Sequence, residues 1–291
     1  MKKTNESAVR PALHHKIARA MSAPKSCRKS WTCAAVLLPL IAAGSVAAQQ
    51  KPPYDQELQL GQEMFNELKA KGEIIESSPL YDQLRPLTDA IGKAAQPKYE
   101  HPFKFYLVHE AQPNAFATPG GNVYVVDSLL YFVKNTEELV GTICHEVSHT
   151  IHHDSVNLMK QHEKTIAKEV GAAVLIGPTG PHVLAIYFLA KLRTLGYSRE
   201  AEAKADLTGS DICAGAGFNP WGLVWLFEDF KNAQKHEIPQ MLSDHPSDQN
   251  RVNALTKHMT ANPSTFGKYS RDRGSATPFS APKSAPVVFL R

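Results

Sequence analysis

His145-Glu146-Val147-Ser148-His149 sets two imidazoles four residues apart, with a carboxylate directly after the first. On a helix, residues at i and i+4 lie one turn above each other on the same face, so both rings can meet one metal ion. Glu146 falls about 100° around the axis from His145, near such an ion but better placed to touch a water beside it. A catalytic zinc takes three protein ligands and leaves a fourth position open, so one more ligand must come from another part of the chain. A pattern with three fixed positions also occurs by chance, and its context has to decide.

The context is favourable. Asn135-Thr136-Glu137-Glu138 opens a helix, with Asn135 able to accept from an early backbone N–H and the acids at the positive end of the dipole. Leu139, Val140, Ile143, Val147 and Ile151 give that helix an apolar stripe. A second helix, capped by Ser198 and running to about Ala214, carries Glu202 and Asp206 at i and i+4 on one face. One of these carboxylates can bind the metal while the other accepts the outer N–H of a ligand histidine. Glu200 is a rival ligand without a carboxylate four residues on. The competing reading is a solvated charged face shared with Lys204, but Ala201, Ala203 and Ala205 between the acids favour close helix packing.

The positioning elements read as follows. Tyr54 to Lys71 has apolar residues at helical spacing and stops at Gly72, and Pro79 opens a helix to about Ala95. Phe103 to Val108 alternates like a strand, and Val123 to Val126 is a second β-rich run. Val170 to Leu192 is very apolar but broken by Gly177-Pro178-Thr179-Gly180-Pro181, too short in either half to span a bilayer. It reads as two packed helices, with a lipid- or substrate-touching patch as the alternative. Asn219-Pro220 opens a further helix and Ser247 a last one to about His258. Two strands among many helices imply a helix-dominated α+β fold.

The 291 residues are 43% hydrophobic and 21% charged, a globular profile. The net charge of +4 misleads: the first 48 residues hold eight basic residues and one acid, and the rest is net −3. The body therefore has no electrostatic reason to seek nucleic acid. The basic excess precedes an apolar stretch from Trp31 to Ala48 that closes on Val46-Ala47-Ala48, a secretory signal pattern. This divides the chain into a signal peptide at 1–48, with Met21 as another start, a catalytic unit at 49–261 and a flexible Ser/Pro/Thr/Lys-rich tail at 262–291. Cys27 and Cys33 would leave with the signal; Cys144 and Cys213 remain, as two buried thiols rather than a bridge.

With these motifs in place, the sequence resembles gluzincin metallopeptidases of the CAAX-prenyl-protease and HtpX type, the forty-eighth metallopeptidase family. The resemblance covers roughly Tyr54 to Lys257. The family's first motif falls on His145, Glu146 and His149, and its third-ligand glutamate and partner acid fall on Glu202 and Asp206. Asn114 to Asn122 resembles the segment before the cleft-edge strand, and His245-Pro246 with Arg251 resembles the late motif. The chain lacks the spanning helices of the membrane branches and any helical-repeat domain after the protease unit, so it is more similar to the small exported branch of envelope quality-control proteases.

The resemblance implies a zincin-like, minigluzincin domain with a small sheet beside the helix of the two histidines, and one zinc per chain held by His145, His149 and Glu202. It implies an exported endopeptidase of the periplasm or cell envelope, acting on unfolded or misassembled polypeptides with Glu146 as general base. His245 or Arg251 is the expected donor to the oxyanion. Asn122, Val123, Tyr124 and Val125 are the expected substrate-binding edge, to which an extended peptide adds a strand. A peripheral membrane contact is left open. The alternatives are a chaperone-like protein with a structural zinc site, and a latent enzyme whose open metal position is taken by His245.

Overall fold

Strand alternation decides how the chain layers. In the computed structural model, which describes residues 53–171, 177–192, 196–232, 245, 249–282 and 288–289, neighbouring strand residues bury into opposite cores. The signal pattern at 1–48, the 172–176 stretch of the apolar run, Pro246 and Ser247 lie outside the described residues.

The chain begins with helix α1 (Pro53–Ala70), strand β1 (Ile74–Ser77) and helix α2 (Leu80–Ala95). Strands β2 (Lys104–Val108), β3 (Ala115–Thr118) and β4 (Asn122–Val126) follow, then the short helix α3 (Asp127–Phe132) and α4 (Thr136–Ile151). Next come α5 (Asp154–Ile166), α6 (Gly180–Leu192), α7 (Arg199–Gly215), α8 (Trp221–Asn232), α9 (Gln249–Ala261), α10 (Pro263–Phe266) and a two-residue strand, β5 (Val288–Phe289). The strand order is β3-β4-β2-β1-β5. The β2–β4 pair is parallel, with Phe105 opposite Val123, and the other pairs are antiparallel.

Ile75, Leu107, Ala117, Val123 and Val125 point into a core shared with α2 and with the apolar stripe of α4. Ile74, Val108, Phe116, Tyr124 and Val126 point the other way, onto α1, α5 and α6. Stacked rings run through this second layer, Phe116 on Tyr124 at 4.9 Å and Tyr106 on Tyr124 at 5.5 Å. A third cluster joins α8 to α9 through Trp221, Trp225, Leu226, Leu255 and Met259. The helix-dominated α+β class expected from the sequence is the one found, with three further strands: β1, β3 and β5.

Two expectations are corrected here. The strand Asn122, Val123, Tyr124 and Val125 is not an edge: β4 pairs with β2 on one side and β3 on the other, and all of it is buried. The outer position beside α4 belongs to β3, whose residues Ala115 to Thr118 are too few and too small to announce a strand by alternation. The second correction concerns the segment beyond Asn262, which is not a loose tail over its described residues. Thr136 N donates to Thr277 O at 2.9 Å, Phe279 N to Lys134 O at 3.2 Å, and Thr277 N to the Glu137 carboxylate at 3.0 Å. Arg273 reaches Glu138 at 2.7 Å, and β5 pairs with β1. Backbone bonds, the Arg273 guanidinium and scattered apolar contacts by Phe266, Tyr269 and Phe279 hold this segment, and none of these leaves a periodic hydrophobic pattern to read.

That clasp surrounds the cap of α4. Asn135 accepts from Glu138 N at 2.8 Å, as its position predicts, and its amide donates back to Glu138 Oε1 at 2.7 Å. Glu138 is fully buried, so its charge depends on these donors and on Arg273. Arg273→Ala should cost ~2 kcal/mol, the range for hydrogen bonds to a buried charged group. The urea midpoint, with m unchanged, checks it.

Candidate metal centre

Two helices build the site, and a glycine lets them meet. At Gly209 of α7 an added Cβ would sit 3.2 Å from both Cys144 O and His145 N, so α7 rests directly on the α4 backbone beside the first histidine. One turn further on, Cys213 Sγ lies 3.7 Å from Val140 O. Cys144 and Cys213 are both free and buried, as two core thiols between these helices. The Ser198 side chain accepts from Ala201 N at 3.2 Å and caps α7 as expected. This aims Glu202 and Asp206 back at α4.

Four donor side chains converge: His145, His149, Glu202 and His245, all buried, with ligand atoms within 4.8 Å of one another. His145 Nε2 lies 3.0 Å from His149 Nε2, 3.3 Å from Glu202 Oε2 and 3.3 Å from His245 Nδ1. His149 Nε2 is 3.6 Å from Glu202 Oε1, and His245 Nδ1 is 2.9 Å from the same oxygen. Donors at ~2.0–2.1 Å around a tetrahedral zinc stand ~3.3 Å apart, so the spacing fits one small cation. The donor set of three imidazoles and a carboxylate suits zinc equally well. Of the two acids left open on α7, Glu202 enters the donor set and Asp206 stands behind it. Glu200 is exposed.

The outer atoms of the ligands are held too. His145 Nδ1 is 3.0 Å from Asp206 Oδ1. His149 Nδ1 is 2.8 Å from Asp154 Oδ2, a partner the sequence reading missed. Asp154 begins α5 just after His153, whose φ of 54° turns the chain sharply back past the end of α4. No spacing rule on α4 itself points to it. Tyr197, also missed, stacks on the His149 ring. His152 and His153 each pair with a side chain outside the donor set. His152 pairs with Thr208 at 3.1 Å, and burial together with Lys204 pushes its pKa down to about 4. His153 meets Glu57 at 2.8 Å.

Arg251 departs from its expected part as an oxyanion donor. Its Nε and Nη2 donate to both oxygens of Asp206 at 2.8 and 2.7 Å, and Nη1 reaches Glu202 Oε2 at 2.8 Å and His245 O at 3.2 Å. A fork committed to two buried carboxylates fixes the position of these two acids instead. His245 likewise stands among the ligands, with Nε2 3.4 Å from Glu146 Oε1. In this position it takes up the site rather than lining it.

The electrostatics follow from that packing. Burial pushes the His145 imidazole down, but Asp206 and Glu202 outweigh it and carry its pKa up to about 10. Burial also pushes the Glu202 carboxyl up, and His245, His145 and His149 overcome this and hold it far below the usual range. Asp206 is lowered in the same way, chiefly by Arg251.

A profile of Peptidase family M48 matches residues 82–259, a span that takes in every residue of this centre. The chain belongs to peptidase family M48. Among its relatives, the beta-barrel assembly-enhancing protease of Yersinia pestis is 25% identical over 249 residues, 77% of this chain and 51% of the relative. The protein of the same name from Escherichia coli (strain K12) is 23% identical over 207 residues, 68% of this chain and 42% of the relative. The mitochondrial metalloendopeptidase OMA1 of Saccharomyces cerevisiae is 30% identical over 154 residues, 50% of this chain and 44% of the relative. The chain thus spans about half or less of the length of these relatives.

For this M48 unit the shifts predict how pH acts on the metal-free protein. A histidine raised from ~6.5 to about 10 contributes stability that is full below ~6.5 and is lost as pH climbs through about 10. Glu202 and Asp206, lowered by folding, contribute stability present above ~4 and lost as pH falls below it. A cation must displace the His145 proton. At pH 7.5, zinc binding to the stripped protein should release about one proton from this site, read as the slope of calorimetric heat against buffer ionisation heat. Asp206→Asn should reduce that slope.

Proposed function

We propose that this chain is an exported zinc-dependent endopeptidase that hydrolyses peptide bonds with Glu146 as general base. One observation carries the reading. A buried carboxylate outside the candidate donor set, Glu146, sits on the same helix as two of its members and 3.4 Å from a third, His245. A purely structural zinc site has no use for that acid, which speaks against the chaperone-like alternative.

His145, His149 and Glu202 would hold the zinc, which when bound supplies the Lewis acidity that polarises the scissile carbonyl and acidifies a water. Glu146 takes the proton of the attacking water and delivers it to the departing amine. Asp206 and Asp154 keep the imidazoles in the tautomer that presents Nε2 to the metal. Arg251 holds Glu202 and Asp206 in register and balances their charge. An extended peptide would pair with β3, the terminal strand of the sheet beside α4, once that strand, buried in the described arrangement, is uncovered, and recognition by main-chain bonds accepts many sequences. That suits unfolded or misassembled polypeptides, as do the names of the assembly-enhancing relatives. The basic-then-apolar N-terminal pattern supports export to the periplasm or envelope, and among the described residues no helix is long and apolar enough to cross a membrane.

A second reading is favoured by the placement of His245. With Nδ1 among the donors and Nε2 against Glu146, it would occupy the position that water and substrate need. The described arrangement is then a latent form, opened when His245 leaves.

Three outcomes test this. A chelator should abolish casein digestion, and restored zinc should return it. Glu146→Gln should keep its zinc yet lose ~10²-fold or more in kcat, the usual share of a general base; digestion at the wild-type rate would remove the mechanism. His245→Ala should raise basal digestion if the latent reading holds, and lower it if His245 serves the reaction.

A further inference from the structure

Tyr197 and Ser155 have no part in the chemistry above, yet Tyr197 lies on His149 and Ser155 holds Tyr197. The Tyr197 ring lies almost parallel on the imidazole, with centroids 4.1 Å apart and planes 20° from each other. Its hydroxyl is 2.8 Å from Ser155 Oγ. Ser155 Oγ in turn donates to the backbone oxygen of Ala117 in β3, at 3.3 Å. Each hydroxyl has one proton, so the direction is set: Tyr197 donates to Ser155, and Ser155 donates to the strand.

Ser155 directly follows Asp154, whose carboxylate grips the edge of the same imidazole at Nδ1. Asp154 controls rotation of the ring in its plane, but one edge contact leaves the ring free to tilt. A flat partner on its face removes that freedom. The three residues therefore hold His149 on two sides, and the face contact is anchored to β3.

We infer that Tyr197 is a positioning residue for His149: its ring fixes the tilt of the imidazole, and its hydroxyl, through Ser155, ties that tilt to strand β3. This rests on His149 being a metal ligand, as proposed above, but it is tested by zinc affinity rather than by cleavage.

The experiment is a zinc titration of the metal-stripped full chain against a chromophoric chelator. Tyr197→Leu, which loses ring and hydroxyl, should raise the zinc Kd about tenfold or more, the usual effect of removing a ligand's support. Tyr197→Phe keeps the stack and should recover most of that loss, a rescue that general destabilisation would not give. Ser155→Ala should match Tyr197→Phe, and the double variant should be no worse than either single change, because both remove one hydrogen-bonded link. Zinc affinity in Tyr197→Leu within about twofold of wild type, or fully multiplying effects of Tyr197→Phe and Ser155→Ala, would overturn the inference while leaving the metal site intact. Should Tyr197→Leu not fold, the cycle of Tyr197→Phe and Ser155→Ala decides alone. A wild-type chain that takes up no zinc overturns both the inference and the reading beneath it.

Discussion

Burying several carboxylates in one pocket is the constraint around which this molecule is arranged. Glu146, Glu202 and Asp206 are all nearly inaccessible to water, and Asp154 is close to it. Charges so placed repel one another strongly unless positive groups stand between them. Arg251 answers Asp206 and Glu202, and a protonated His145 can answer the same pair. A divalent cation held among His145, His149, Glu202 and His245 would do it better, because it would meet several donors at once. Metal affinity in such a site is the counterpart of folding strain.

The scaffold serves that arrangement through close backbone contact. A Cβ at Gly222 would fall 2.1 Å from the Glu137 carbonyl, as one at Gly209 would press on His145, so α8 and α7 both lie directly on α4. The sheet gives α4 a flat apolar support, while the other sheet face is closed by α1, α5 and α6. Side chains one turn apart on rigid helices then point to one place without loops having to be ordered. The late element α9 adds Arg251, which also lies over the Phe227 ring at 4.6 Å, so its charge is seated on an aromatic face as well as between carboxylates.

How much was legible in the sequence depended on whether a feature is periodic. The clustered side chains on α4 and α7 follow the helical repeat, so His145, His149, Glu202 and Asp206 could be placed on common faces, and the caps Asn135 and Ser198 marked where those faces begin. Asp154 and Tyr197 act across a turn and across two elements. Their positions relative to His149 are set by a left-handed residue and by packing, neither of which leaves a spacing. The edge was misassigned for a related reason. Val123 to Val126 has the stronger β composition although it is paired on both sides, whereas the terminal strand β3, just as buried, is weaker in composition. The segment beyond Asn262 reads as polar and loose because its attachment to α4 is made by main-chain bonds and Arg273, which composition does not distinguish from solvated chain.

Order of synthesis gives that attachment a kinetic meaning. Arg273 joins Glu138 across 135 residues, and Thr277 joins Glu137 across 140. While a polypeptide is made or threaded through a channel from its amino end, the start of α4 emerges long before the partners that complete its cap. Until they arrive, Glu138 has only its local donors, Asn135 and the Lys134 backbone N–H. The start of that helix is thus completed only after residues 273 and 277 have been made, late in the order of synthesis.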